Sequence, residues 1–479
     1  MQTVAIPKIQ LDKEVLSLSL SNTNLSSWIS KYQAIPFKQD ETTLHIAIVL
    51  TDTIPLEKIP ITFTTKEVLF YEITKSEFEK YSYIIETNRS IQYIASKVKD
   101  DIHSRTINKR NNTKTHTLGL LETIFEHAIK NRASDIHFES LGEYYHIRIR
   151  VDGVLMLLFE FESVVAQALI SKIKLLANLD VATKKPQDGS FAYTILSQNY
   201  SLRISTITTY LNESVVIRIL DGAIQGIRLE NLGFDRDQLT LIKNTLQAKS
   251  GLILVTGATG SGKSTSLYSM LTHINSVEQK IITIEDPVEY SLPLVEQIEV
   301  NEYNNQTFES ILRNILRHDP DILMIGEIRD SASLRLALQA AMTGHLVLST
   351  LHTNDALSTI TRLKDMGIEE YLITSTLKLI ISQRLVRKLC EECKTEYTLP
   401  QSIANKIEPH INSHTKFYKP NGCERCNYSG YKGRVVISEV APFDNNLASN
   451  YLHEDSFETL FDDGIKKSAK GVVYIHDIL

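Results

Sequence analysis

GLILVTGATGSGKSTSLYSML, residues 251–271, joins an apolar run of strand length to a segment with apolar residues at helical spacing through a glycine-rich turn. Within it Gly257 to Ser264 satisfies GxxxxGK[ST], in the strand–turn–helix context that gives the pattern its meaning. Glycines 257, 260 and 262 let the backbone curl, so that N–H groups along Gly257, Ala258, Thr259, Gly260, Ser261, Gly262, Lys263, Ser264 and Thr265 can face inward. The start of the following helix adds its partial positive charge. Lys263 is placed to reach β- and γ-phosphates and Ser264 to hold Mg²⁺, which predicts binding of ATP or GTP.

Downstream, KIITIEDPVEY (280–290) ends a β-branched strand in Glu285 and Asp286. HDPDILMIGEIRD (318–330) places Asp321 before a second apolar strand and Glu327 after it. In a parallel sheet the C-terminal edge faces the ligand, so acids there can hold Mg²⁺ or orient and deprotonate the attacking water. Gly326 stands where an Asp commonly ends this strand, which shifts those duties to glutamates. TGHLVLSTLHTNDA (343–356) carries His345 and His352 on either side of another strand. His352, at the strand exit, is the better γ-phosphate sensor, whereas a histidine beside a strand such as His345 has many structural uses.

The 479 residues suggest two to four domains. A hydrophobic fraction of 42% with 23% charged residues is that of a globular chain, and the net charge of −6 gives no sign of a phosphate-driven nucleic-acid binder. The first residues have acids where a signal peptide has an apolar run, and no stretch approaches the roughly 20 apolar residues that span a bilayer. Residues 1–103 contain short alternating runs such as LHIAIVL (44–50) and no chemical motif, and polar 104–116 reads as a linker. Residues 117–220 alternate helix and strand patterns as an α+β domain, 221–227 read as a hinge, and 228–389 as an α/β nucleotide-binding domain. All four cysteines fall in two CxxC pairs, Cys390/Cys393 and Cys423/Cys426, a set suited to a closed tetrahedral Zn²⁺ site of structural type. The pairs predict a small subdomain over 390–435, followed by a helical C-terminal part over 436–479.

GATGSGKST, ITIEDPVEY, LRHDPDILMIGEIRD and TGHLVLSTLHTNDA, in that order, resemble the Walker A, aspartate, Walker B and histidine boxes of the type II secretion and type IV pilus assembly ATPases. ASDIHFE, RIRVDGVL, PQDGSF and LRIST…VVIRIL resemble that family's N2 domain, and QRLVRKLCEECK with CERCNYSGYKGRVVISEV its cysteine motif. The resemblance implies an α/β, RecA-like P-loop NTPase domain preceded by an α+β, PAS-like N2 domain, with a small N-terminal domain and a zinc-binding tetracysteine subdomain. It implies a homohexameric cytoplasmic motor, peripheral to the inner membrane through its partners. Such a motor hydrolyses ATP against an inner-membrane platform protein and is docked by a second protein through the N-terminal domain. Glu327 is then the catalytic base, with Glu285 and His352 beside it, and Arg203 and Arg218 are the arginines brought to the γ-phosphate. NES (212–214) departs from the family's usual turn before VVIRIL, and the N-terminal hundred residues match weakly. A pilus-retraction ATPase is disfavoured by the cysteine subdomain, and a DNA-translocating or conjugation ATPase by the lack of a basic module.

Overall fold

The computed structural model describes residues 26–50, 59–61, 64, 66–107, 116–221, 228–301, 304, 306–407, 415–443 and 457–479. The chain divides into two compact units, the first Met1–Asp221 with Asn421–Gly430, the second Gly222–Pro420 with Tyr431–Leu479.

In the first unit, helix α1 (Ser26–Tyr32) precedes a small sheet of β1 (Ala34–Gln39), β2 (Thr43–Ile48) and β3 (Glu67–Glu72) in that order, its first pair antiparallel and its second parallel. Helix α2 (Lys75–Ile107) follows. Its Ile91, Ala95 and Val98 recur at helical spacing and enter the core of the next sheet, so α2 belongs to two layers of packing at once. The linker expected over 104–116 is described only at its ends: 104–107 continue α2, His116 opens the next helix, and 108–115 lie outside the described residues.

The larger sheet is built from α3 (His116–Lys130), β4 (Ala133–Ser140), β5 (Tyr144–Val151), β6 (Val154–Glu162), α4 (Ser163–Leu176), β7 (Gln187–Ile195), β8 (Gln198–Thr208) and β9 (Glu213–Asp221). Its order is β6-β5-β4-β9-β8-β7, antiparallel throughout. Alternation sorts the side chains: Ile136, Phe138, Ile147, Ile149, Ile204 and Ile217 enter the helix-covered core. Their strand neighbours Asp135, His137, Arg148, Arg203 and Arg218 take the other face. The hinge expected at 221–227 falls, after Asp221, outside the described residues.

The second unit is organised by one mixed sheet. Its elements are α5 (Arg236–Thr245), β10 (Gly251–Thr256), α6 (Lys263–Ile274), β11 (Ile281–Glu285), β12 (Val295–Glu299), α7 (Phe308–Ile315), β13 (Ile322–Ile325), α8 (Ser331–Met342), β14 (Leu346–Leu351), α9 (Ala356–Asp365), α10 (Glu370–Thr376) and β15 (Leu377–Leu389). After them come β16 (Thr395–Tyr397), α11 (Gln401–Ile407), β17 (Phe417–Lys419), β18 (Tyr431–Pro442) and α12 (Leu460–Ala469). The order β12-β11-β13-β14-β10-β15-β18 is parallel except for the last pair. Successive residues of β10 enter opposite cores, Leu252 and Leu254 on one side and Ile253 and Val255 on the other. Burial on both faces explains the unbroken apolar run.

Residues 436–442, expected in a helical part, instead continue strand β18: RVVISEV (434–440) is rich in β-branched residues, Val435, Val436, Ile437 and Val440, and pairs antiparallel with β15. Helix α12 is fixed to this strand by a buried ion pair. Asp463 Oδ2 accepts from Lys467 Nζ at 2.5 Å and from Ser438 N at 2.7 Å, and Lys467 also donates to the Val436 carbonyl at 2.7 Å. Asp463→Ala leaves a buried ammonium without its counter-charge and should lower unfolding free energy by about 3–5 kcal/mol in urea titration. A loss under about 1 kcal/mol would mean that the pair contributes only surface-like stability.

Candidate functional site

Strand β10 lies between β14 and β15, and the chain leaves it at the C-terminal edge of the sheet through the phosphate loop into α6. Gly257 has φ 143°, and a Cβ there would stand 2.3 Å from the Gln383 carbonyl oxygen, so only glycine fits. Lys263 is buried and donates to the Gly257 and Ala258 carbonyls at 2.8 and 3.1 Å. Burial pushes its pKa down, with Glu327 acting in the opposite sense. The Ser261 hydroxyl is buried and makes no hydrogen bond among the described residues.

The loop borders a cavity of about 480 Å³, of the size that takes a nucleotide. Thr259, Gly260, Gly262, Lys263, Ser264 and Thr265 line it, while Gly257, Ala258 and Ser261 are not among its lining residues. Glu285, Asp286, Glu327 and His352 reach the same cavity from the ends of β11, β13 and β14. The sheet edge therefore brings together the acids and the histidine that sequence spacing pointed to.

Their environments differ. Glu327 bonds Arg329 through one oxygen and His352 Nε2 at 3.2 Å through the other. Burial pushes its carboxyl up, but Arg329 and His352 outweigh that and hold it below the usual range, so it is ionised at neutral pH. Gly326 explains the departure noted in the sequence: its N–H bonds the Ile284 carbonyl at 2.8 Å, and a Cβ there would stand 3.1 Å from that same oxygen. Glu327, the next residue, borders the cavity. Glu285 is 4% exposed and accepts from Tyr268, from Thr283 at 2.5 Å and from Gln297 at 3.0 Å. Burial, then Glu285, pushes the Tyr268 phenol up. A carboxylate so fully engaged is suited to holding its surroundings rather than to taking a proton from water.

His352 is half exposed, whereas His345 turns back to bond the Ala340 carbonyl at 2.9 Å and closes the end of α8. Asp321 caps the opposite edge of the sheet, accepting from Lys280 N at 2.7 Å. Arg329, which also bonds Asp286 at 3.1 Å, and Arg434, Phe308 and Leu385, which line the cavity, were not singled out by sequence reasoning. The GEIRD stretch held a signal for Arg329; Arg434 had none, because only the return of β18 beside β15 brings it there. Arg203 and Arg218 are opposite one another on β8 and β9 in the first unit, and Arg218 Nε bonds Asp135 at 3.1 Å.

The ligand atoms of Cys390, Cys393, Cys423 and Cys426 all lie within 4.8 Å of one another. Four sulfurs about 2.3 Å from a tetrahedral Zn²⁺ stand about 3.8 Å apart, and the Cys423 and Cys426 sulfurs are 3.8 Å apart. Backbone N–H groups of Cys423 and Gly430 point at Cys426 Sγ at 3.2 Å each, a polarity that suits a thiolate. The residues therefore fit the metal.

Comparison with known proteins agrees with this geometry. The family described as "Type II/IV secretion system protein" matches residues 111–479. The chain is similar to the Type II secretion system protein E of Dickeya dadantii, 43% identical over 70% of this chain and 68% of that one. It is also similar to the Type II secretion system ATPase E of Vibrio cholerae, 39% identical over 75% and 74%. Among solved structures, the Legionella pneumophila ATPase DotB shares the fold at a TM-score of 0.57, with 21% identity over 77% of this chain and 96% of that one. The pilus retraction motor PilT with bound ADP aligns at a TM-score of 0.50, 27% identical over 75% and 96%. With an acid-ringed phosphate loop at the sheet edge and a matched span reaching the last residue, the chain belongs to the Type II/IV secretion system protein family, as one of its ATPases.

Proposed function

We propose that this ATPase is the assembly motor of a type II secretion pseudopilus, a type IV pilus or a competence pseudopilus, working as a homohexamer in the cytoplasm against an inner-membrane platform protein. The observation that carries the reading is Glu327: an ionised carboxylate at the edge of a cavity walled by the phosphate loop, in a chain about 40% identical to type II secretion E proteins over most of its length. In this reading Lys263 and the loop amides hold the phosphates of ATP, Ser264 with the nearby acids holds Mg²⁺, and Glu327 takes the proton of the attacking water while His352 faces the γ-phosphate. Glu285 serves as an orienting group. Arg203 and Arg218, adjacent across two strands, meet the γ-phosphate as charge develops. Zn²⁺ on the four cysteines is structural, since a four-thiolate site keeps no open position.

The cysteine cluster favours assembly over retraction. Among the described residues no helix is long and apolar enough to cross a membrane, so membrane attachment in this reading goes through partners. The N-terminal region, before the matched span, takes the docking protein. The test is affinity isolation of the full chain and of a version starting at residue 75 from solubilised membranes. The cut is placed there because Ile91, Ala95 and Val98 complete the core of the larger sheet. A polytopic platform protein should come down with both, and a bitopic docking protein with the full chain alone. Recovery of DNA or soluble proteins only would refute the secretion role.

A further inference from the structure

Strand β15 passes beneath the phosphate loop, and one of its side chains touches the loop in a way that bears on phosphate recognition. Gln383 is 2% exposed. Its Nε2 donates to the Ser261 carbonyl at 2.8 Å, and its Oε1 accepts from the Ser266 hydroxyl on α6 at 2.8 Å. One amide thus serves a loop carbonyl and a helix hydroxyl, a donor–acceptor pair that neither an acid nor an apolar side chain supplies. Leu385, two residues on and on the same strand face, meets the same side of Gly262: a Cβ there would stand 3.2 Å from Leu385 Cδ1 and 3.3 Å from Gln383 Nε2.

The consequence follows from the planarity of the peptide bond. In a trans peptide the carbonyl of one residue and the N–H of the next point in opposite directions. Drawing the Ser261 carbonyl down onto the buried Gln383 amide therefore turns the Gly262 N–H away from β15. Gly262 itself lines the cavity. We infer that Gln383 is a positioning residue that aims the Gly262 N–H into the phosphate cavity. The inference rests on the phosphate loop being the nucleotide site.

Because this N–H meets the nucleotide in ground and transition states alike, its loss weakens binding more than turnover. For Gln383→Leu, which removes both hydrogen bonds, the dissociation constants of a fluorescent ADP and a fluorescent ATP analogue should rise together by about tenfold or more. KM for ATP should rise in parallel, with kcat within about threefold of the unmutated chain. Gln383→Glu keeps the acceptor for Ser266 and sets a carboxylate against the Ser261 carbonyl; it should show the same split if the leucine variant does not fold. Thermal midpoints, measured on both, separate a stability change from a binding change. Folded variants whose ADP affinity and KM stay within about twofold of the unmutated chain would overturn the inference, as would loss of folding in both. Lys263→Ala is run alongside. If it too leaves nucleotide binding intact, the loop is not the nucleotide site and both readings fall; if it abolishes binding while Gln383→Glu binds normally, only the role of Gln383 falls.

Discussion

Glu327→Gln is expected to lower ATP turnover by roughly 100-fold or more, the usual loss on removing a general base, while nucleotide affinity changes little. Glutamine fills the same volume; its oxygen can accept from Arg329 while its amide nitrogen donates to His352 Nε2 in the Nδ1-protonated tautomer, so the loop after β13 should keep its shape. The phosphate loop follows a different strand, β10, and keeps its own contacts, losing only the charge that Glu327 sets against Lys263. What disappears is the Glu327 carboxylate, and Glu285, saturated by Tyr268, Thr283 and Gln297, does not replace it. Phosphate release under saturating ATP measures the first effect, and equilibrium binding of a fluorescent nucleotide the second. Hydrolysis near the unmutated rate would remove Glu327 from the chemistry and leave the chain as a nucleotide-switched scaffold. The resting carboxylate is held below its ordinary pKa by Arg329 and His352. With the carboxyl held down in this way, turnover should show no limb from protonation of this group near neutral pH.

The second large effect concerns the cysteines. Among the described residues, the part of the chain around β16, α11 and β17 has a small buried core. Its two strands are three residues each, and its buried apolar cluster consists of Ile407 and Phe417 against Ile465 and Ile475. A two-stranded ribbon of that size is not stable alone in water. Structural zinc contributes on the order of 10 kcal/mol in comparable small sites. Purified chain should therefore contain about one zinc per molecule. Its removal by a chelator, or Cys426→Ser, should open residues 390–430 to proteolysis and hydrogen exchange while β10, β13 and β14 stay protected. Absence of stoichiometric zinc, with exchange unaltered by chelation, would show that the thiols stand as free cysteines.

How far the sequence could be read depended on how local the governing interactions are. The phosphate loop was legible because glycines 257, 260 and 262 all take a positive φ, a requirement of the local backbone whatever the tertiary contacts add. Strands β11, β13 and β14 were legible because burial on both faces leaves an apolar run with an acid or histidine at its end. Strand β12, VEQIE, is a sheet edge with exposed glutamates and carried no such mark. The helical reading of 436–479 failed at its first residues, because the pairing of β18 with β15 crosses more than forty residues of intervening chain (390–430). Helix α2 is polar over most of its 33 residues, and only the residues that meet the two sheets, Phe78, Tyr81 and Ile85 on the small one and Ile91, Ala95 and Val98 on the larger, show why it stays helical. Within the site, the partners of Glu285 and the arrival of Arg434 are tertiary facts with no counterpart in local spacing.

The pairing of β15 with β18 has one more consequence. Leu389, where the chain leaves the sheet, is the register partner of Tyr431, where it returns, so the cysteine-bearing stretch is an excursion from the tip of a hairpin whose two feet are already joined. A segment so attached can lengthen, shorten or be replaced by a tight turn over evolutionary time without moving Gln383, Leu385 or Arg434, because loop tips tolerate insertion where strand interiors do not. The motor core and its cysteine module are thus free to diversify at different rates.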